Sequence, residues 1–109
     1  NYKNKILKAT DISTIVTGKR LGHPVRSIKT PFSREYSRAE YSNISDEELE
    51  NMAVGALRLA AADGNEEKGC FLAGQIAGMI KKEQSSEEII KEIFSEAEMI
   101  LNGAKKWVK

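Results

Sequence analysis

The residues best suited to hold a flat ligand stand inside the uncharged stretch GCFLAGQIAG: Leu72, Ala73, Gly74 and Gln75. If this stretch is a helix, each interior glycine costs roughly 0.5–1 kcal/mol relative to alanine, so the glycines need a reason. Small residues four apart form a nearly flat strip, against which a planar ligand or its phosphate could lie beside the Gln75 amide. Close packing of two helices would use the same residues. The stretch therefore predicts either a ligand wall or a packing seam.

Two further side chains could do chemistry, but neither has a visible partner. His23 is the only histidine and stands between Gly22 and Pro24, where it could act as a base or contact a phosphate; an exposed or structural role is the more common one. Cys70 is the only cysteine and is expected to be a small buried hydrophobe. The sequence holds no Walker, GxGxxG or GxSxG motif. It therefore predicts no catalytic residue and no metal site within these residues.

Charge is distributed unevenly along the 109 residues. Residues 1–38 contain nine basic and two acidic side chains, whereas residues 39–109 contain eight basic and fourteen acidic ones. The basic third could contact phosphates, nucleic acid or an acidic protein through Arg20, His23 and Arg26. It could equally pair with the chain's own acidic half. Nucleic acid is disfavoured because aromatic residues do not alternate regularly with the basic ones.

Helix signals are clear in the second half of the chain. Ser45 to Glu48 is a capping box, and apolar residues from Leu49 to Ala60 recur at helical spacing, with Gly64 as the stop. A second capping box at Ser85 starts a last helix, whose buried stripe is expected to be Ile90, Ile93, Phe94, Ala97, Ile100, Leu101 and Ala104. Trp107 is expected to close the end of the core.

The first half is predicted to be less regular. The pattern indicates a short helix from Lys3 to Ala9, a strand or extended arm over 11–17, a short extended or helical piece over 25–28, and a helix over 33–41. The fold class is thus mainly α with a small extended element. Residues 1–44 form a basic arm with short helices and residues 45–109 a helical region, together one compact unit.

The sequence resembles a known enzyme family in two places. The run AGQIAGMIKKE, preceded by GALRLAAADGNEEKG, resembles the carboxy-terminal part of the nitronate monooxygenases (2-nitropropane dioxygenases) and the flavin-type enoyl-acyl-carrier-protein reductases. The segment from Asn1 to Tyr36 also resembles this family. The runs GHPVR and AGQIAG make the chain most similar to the reductase branch. Family members commonly have methionine where this chain has Leu72, a change that keeps the side-chain volume.

The resemblance implies a carboxy-terminal fragment of an FMN-dependent (β/α)₈ barrel that uses NAD(P)H. Leu72–Gln75 would then form a wall of the flavin or substrate pocket, and the basic third could dock an acyl carrier protein or a dinucleotide. Members are about three times as long, so the 109 residues alone are expected to bind no FMN tightly. A fragment cut from a barrel would expose apolar surface, and self-association is expected.

An alternative is a small, non-enzymatic helical module that binds an acidic partner or nucleic acid through its basic third. The start at Asn1 instead of methionine favours a fragment over this module. The longest apolar stretch is shorter than the roughly 20 residues of a membrane span. A single cysteine is typical of reducing compartments, so a cytoplasmic location is expected.

Overall fold

The computed structural model describes all residues from Asn1 to Lys109. It is mainly helical with one small antiparallel sheet, as the sequence predicts. In chain order the helices and strands are α1 (Tyr2–Leu7), β1 (Thr14–Thr17), β2 (Val25–Ile28), α2 (Pro31–Glu40), α3 (Asp46–Ala53), α4 (Ala56–Ala61) and α5 (Ser86–Gly103). Short 3₁₀ helices occupy Gln75–Met79 and Ala104–Trp107.

Strands β1 and β2 form a hairpin, and a third extended segment lies along its β2 edge. Thr14 pairs with Ile28 and Thr17 with Val25. The β2 edge is bonded to residues 71–73: the Ile28 N–H donates to the Phe71 carbonyl at 2.8 Å, and the Ala73 N–H donates to the Arg26 carbonyl at 3.2 Å. This pairing positions the start of the candidate strip against the sheet.

The hairpin loop requires a glycine at its first turn. Gly18 has φ +82°, a conformation that other residues rarely adopt. A Cβ on Gly18 would stand only 2.3 Å from the carbonyl oxygen of His23, whose N–H donates to the Gly18 carbonyl at 3.0 Å. The loop therefore closes on itself and brings His23 back beside the end of β1.

Side-chain caps start three helices. The caps of α3 and α5 are those that the sequence predicts. The Ser45 and Ser85 hydroxyls accept hydrogen bonds from the Glu48 and Glu88 N–H groups, and each glutamate bonds back to the N-cap N–H. Helix α2 begins with a similar reciprocal cap at Thr30, followed by a proline at the first helical position. These bonds between residues three apart satisfy N–H groups at the helix starts.

The prediction of one continuous helix from Leu49 to Ala60 is wrong. The backbone leaves the helical conformation at Val54, with ψ 122°, and Gly55 takes φ +77°. The apolar periodicity continues across this break because both short helices turn residues such as Leu49 and Ala56 inward, where they are buried. A left-handed glycine thus separates α3 from α4 where the pattern alone indicates no interruption.

A small core joins the amino-terminal helix to the middle of the chain. Ile28, Ala60 and Phe71 are buried together, and Tyr2 and Ile6 of α1 pack against them. The rings of Tyr2 and Phe71 have centroids 5.0 Å apart. Contacts thus cross the predicted boundary between residues 1–44 and 45–109.

The last helix has no buried face, contrary to the sequence prediction. None of its side chains is buried, and Phe94 and Leu101 are each 72% exposed. Trp107, expected to close the core, is 80% exposed. The capping box and the apolar stripe form a regular amphipathic helix, but these 109 residues provide nothing for the stripe to pack against. No helix combines the length and hydropathy that crossing a membrane requires.

Candidate functional site

The segment from Leu72 to Gly74 is extended, and none of the residues Leu72–Gln75 belongs to an α-helix. Leu72 forms an isolated bridge with Ser27 of β2, Gly74 has φ −75° and ψ 172°, and a 3₁₀ helix begins at Gln75. The predicted flat strip on a helix face is therefore wrong. Pairing with the sheet edge outweighs the helical preference of the alanines. The four residues instead link the sheet to the 3₁₀ helix; Leu72, Gly74 and Gln75 are exposed, and Ala73 is partly buried against the core.

The two glycines of this stretch have different environments. A Cβ on Gly78 would stand 2.7 Å from the carbonyl carbon of Thr10 and 2.9 Å from the N of Asp11. A Cβ on Gly74 would meet no atom within 4 Å. Gly78 thus serves close packing against the turn after α1, and Gly74 faces open space beside the exposed Gln75.

An apolar cavity of about 290 Å³ opens next to this segment. It lies between the hairpin loop, α2, α3 and α4, and nine of its thirteen lining residues are hydrophobic. Buried residues form its inner wall, among them Thr17, Tyr36, Ala56 and Cys70. Leu72 belongs both to the cavity lining and to the candidate segment, so the two features are continuous.

The titratable groups of the inner wall are held in their neutral forms. Burial raises the pKa of the Cys70 thiol, and the neighbouring Ser27 hydroxyl offsets part of this effect. Burial also raises the pKa of the Tyr36 hydroxyl, with further contributions from the carboxylates of Glu40 and Glu50. The Cys70 side chain is only 7% exposed, as expected for a small buried hydrophobe. A buried thiol with a raised pKa is a poor nucleophile.

The three residues assigned to phosphate or partner contact serve different purposes. Arg20 donates to the carbonyls of Ser42 and Ile44, at 3.2 and 2.6 Å, and its guanidinium lies 2.9 Å from Asp46. Arg26 donates to the Thr14 hydroxyl across the hairpin at 2.9 Å. His23 is exposed and lines the cavity. Arg20 and Arg26 are thus engaged inside the chain, and only His23 adjoins the candidate segment's cavity.

Several basic residues of the first third pair with the chain's own acidic half. Lys5 lies 3.1 Å from Glu66, and Lys3 also forms an ion pair, with Glu83. Together with the Arg20 pair, these contacts support the interpretation of the charge asymmetry as internal pairing. Exposed pairs of this kind contribute little stability each. The exposed cations without such partners include Arg34 and Arg38 of α2.

Sequence reasoning missed the cavity. Its lining comes from the hairpin, α2, α3, α4 and the segment at Cys70 and Leu72, which lie far apart in the sequence. Most of its residues have an ordinary apolar character when each is taken alone. The one available signal was the alternation of small and large apolar residues around the break at Gly55, such as Ala53, Ala56 and Leu57. That signal does not distinguish a cavity from a packed core.

The comparisons with known proteins agree with one another. The family model described as nitronate monooxygenase matches residues 1–96. FabK from Thermotoga maritima superposes with a TM-score of 0.92 at 38% sequence identity, covering 98% of this chain and 34% of the FabK chain. A methionine-to-alanine mutant of that FabK superposes with a TM-score of 0.79 at 34% identity, covering 98% of this chain and 31% of the mutant. No curated protein sequence matches.

The chain therefore spans about a third of the length of the FabK chains it matches. The match includes nearly all of the chain, so it extends over the hairpin, the candidate segment and α5 alike. The resemblance seen in the sequence is confirmed. With a family model over most of its length and a closely similar solved structure, the chain belongs to the nitronate monooxygenase family.

Proposed function

We propose that this chain is the carboxy-terminal part of an FMN-dependent (β/α)₈-barrel oxidoreductase of the enoyl-acyl-carrier-protein reductase branch. The observation that carries the proposal is the superposition on FabK over 98% of the chain with a TM-score of 0.92. The reductase branch is preferred because the sequence resembles it at GHPVR and AGQIAG. Family membership favours this enzyme over the small interaction module.

In this proposal Leu72–Gln75 supplies one wall of the flavin or substrate pocket. The open space at Gly74 supports this role, since a planar group could approach the backbone there without meeting a side chain. Gln75 is exposed and offers both a donor and an acceptor at one end. FMN, when bound to the complete enzyme, supplies the hydride-transfer chemistry, with NAD(P)H as the donor. These residues fit a wall and do not form a phosphate-binding loop.

The rest of the longer chain is the proposed partner of α5. None of the side chains of α5 is buried here, and the superposition on FabK covers 98% of the chain. An amphipathic helix gains most of its stability by burying its apolar face. In a chain three times as long, the other two thirds would cover Ile93, Phe94 and their neighbours.

An acyl carrier protein is the proposed macromolecular partner of the complete enzyme. Because Arg20 and Arg26 are engaged internally, docking would use His23 and exposed cations such as Arg34 and Arg38. Reversing both arginines of α2 to glutamate should slow the use of carrier-bound substrates at low salt, and the effect should shrink at high salt. Unchanged low-salt kinetics would remove this docking surface from the proposal.

The function is tested with the complete open reading frame. The purified protein is examined for flavin by its visible spectrum and for oxidation of NADH or NADPH with crotonyl thioesters. Flavin together with crotonyl-dependent nicotinamide oxidation supports the reductase. The family model favours a second candidate, so oxygen uptake with propionate nitronate is measured in parallel. Nitronate oxidation without thioester reduction would assign the monooxygenase activity instead.

A further inference from the structure

The only thiol of the 109 residues belongs to the wall of the apolar cavity. Cys70 lines the cavity and is 7% exposed. Burial raises the pKa of this thiol, so it reacts slowly with reagents that meet it from bulk water. A reaction at the Cys70 sulfur therefore depends on a reagent that enters the cavity and stays beside it.

A second polar group on the same side of the sheet has no hydrogen-bond partner. Ser27 is fully buried, and its hydroxyl oxygen makes no hydrogen bond within the chain. It stands opposite Leu72 and two residues after Val25, so the three side chains share one face of the sheet. Val25 and Leu72 both line the cavity. The Ser27 hydroxyl thus lies on the cavity side of β2, next to the Cys70 thiol.

The unpartnered hydroxyl indicates which groups a ligand would present there. Buried hydroxyls nearly always have a partner, because burial removes the water to which they would otherwise bond. A carbonyl oxygen placed beside Cys70 would accept a hydrogen bond from Ser27. The same hydroxyl can donate to the sulfur as the thiol ionises, which favours the thiolate. Ser27 and Cys70 together therefore suit a ligand that is both a carbonyl compound and an electrophile.

The lining of the cavity decides which reagents reach Cys70. No lysine or arginine lines it, whereas the carboxylate of Glu50 does. An anionic reagent would lose its hydration without gaining a cationic partner and would be repelled by Glu50. At about 30 Å³ for each water-sized group, the 290 Å³ of the cavity hold about ten such groups. Small, uncharged molecules are therefore favoured.

We propose that Cys70 is a covalent modification site for small, uncharged α,β-unsaturated carbonyl compounds, with Ser27 as the hydrogen-bond donor beside it. The sulfur forms a bond to the β-carbon, and the electrons of the carbon–carbon double bond move to the α-carbon. The α-carbon takes a proton from water in place of the one that the thiol releases. No group leaves, and no oxidant or reductant is needed. The adduct would fill the cavity next to Leu72.

The test compares N-ethylmaleimide with its anionic relative 3-maleimidopropionate on the complete protein. Trypsin releases Cys70 in the peptide from Gly69 to Lys81, so mass spectrometry follows this one thiol whatever the rest of the chain contains. In the native protein the uncharged reagent should label Cys70 about tenfold faster than the anionic one, or more. In urea-unfolded protein the two rates should be similar. Equal rates in the native protein would overturn the inference.

Entry through the cavity is distinguished from reaction after unfolding. Direct entry gives a labelling rate that low concentrations of urea leave unchanged, whereas reaction through the unfolded chain accelerates with urea. N-ethylsuccinimide, which has a similar shape but no reactive double bond, should slow labelling of the native protein only. A rate that rises with the first additions of urea, or a native protein that is not labelled, would refute the inference.

A matched pair of variants locates the route. Ala53 is exposed at the end of α3 and lines the cavity, so Ala53→Phe should slow labelling about tenfold or more. Ala61→Phe, at an exposed alanine of α4 that does not line the cavity, should leave the rate unchanged. Equal effects of the two variants would place the route elsewhere and overturn the inference. If Ala53→Phe fails to fold by circular dichroism, Leu57→Phe at the opening replaces it with the same expectation.

The role of Ser27 has its own variant. Ser27→Ala removes the donor and should slow labelling of the native protein several-fold, while the rate in the unfolded protein stays the same. An unchanged native rate would remove Ser27 from the site.

The labelling needs no turnover, so its outcome is separate from that of the proposed function. Selective labelling in a protein that reduces no thioester supports the modification site and removes the reductase. Thioester reduction in a protein whose Cys70 is not labelled in the native state does the reverse.

Discussion

The hydroxyl of Tyr2 donates a hydrogen bond to the carbonyl oxygen of Leu72 over 2.6 Å, joining residues seventy positions apart. The ring of Tyr2 lies against Phe71 at the same time. Helix α1 thus holds the segment that leads into Gly74 and Gln75 from the side opposite to β2. The position of the candidate segment depends on both contacts.

Removing the Tyr2 hydroxyl should destabilise the protein modestly. Tyr2→Phe loses one hydrogen bond, which is worth about 1 kcal/mol, and Tyr2→Ala should cost about 2–3 kcal/mol because the ring contact is lost too. Urea unfolding measures both differences. Tyr41→Phe is the control, since Tyr41 is 84% exposed. A Tyr2→Phe protein as stable as the parent would show that the hydroxyl does not hold the segment.

Replacement by alanine should affect stability at Gly78 but not at Gly74. Gly78→Ala places a Cβ against the backbone of Thr10 and should lower the free energy of unfolding by about 1–3 kcal/mol. Gly74→Ala meets no atom of the chain, so melting should stay near normal. In the complete enzyme it should impair flavin retention or turnover, if a ligand lies against this backbone. Normal flavin content and turnover in Gly74→Ala would remove Gly74 from the site.

The amide of Gln75 is tested separately in the complete enzyme. Gln75→Leu keeps most of the volume and removes the polar group, so a lost hydrogen bond to a ligand should reduce binding or rate by about 1 kcal/mol. Because Gln75 is exposed, the melting temperature should hardly change. Unchanged ligand affinity and rate would contradict a polar contact at this position.

Alkaline pH should destabilise the fold through Cys70. Burial raises the pKa of this thiol in the folded state, so the unfolded chain loses its proton first as the pH rises. The contribution of the neutral Cys70 thiol to the free energy of unfolding is fully present below the ordinary thiol pKa of the unfolded chain. It is lost as the pH rises through the thiol pKa of the folded protein. Urea unfolding at increasing pH measures the decline, and Cys70→Ala should show a shallower one. An identical decline in both proteins would assign the effect to the tyrosines, of which Tyr2 and Tyr36 also have raised pKa values.

The 109 residues alone should self-associate through α5. Its apolar face is uncovered, and Ile93→Glu with Phe94→Glu should disrupt association by placing two charges on that face. Ser95→Glu adds a charge on the opposite face and should leave association unchanged. Sedimentation velocity at several concentrations measures the effect. A monomer at all concentrations would show that the exposed face of α5 does not mediate self-association.

Local sequence signals determine where several helices and strands of this protein begin. The capping boxes at Ser45 and Ser85 specify helix starts by hydrogen bonds between residues three apart, so a short window contains all the necessary information. The β-branched run before Gly18 likewise predicts the strand β1. The motif near Gly74 and Gln75 identified the family, which the comparisons confirm.

Only the tertiary structure decided the shape of the candidate site. Residues 71–73 are extended because β2, more than forty residues earlier, bonds to their backbone groups, and this outweighs their local preference. The same long-range packing distinguishes Gly78, pressed against Thr10, from Gly74, which is open. The apolar stripe of α5 lies on one face of a helix, as its spacing predicts, but burial requires a partner surface, and these residues provide none. Periodicity specifies which side of a helix is apolar, whereas the rest of the fold determines what covers it.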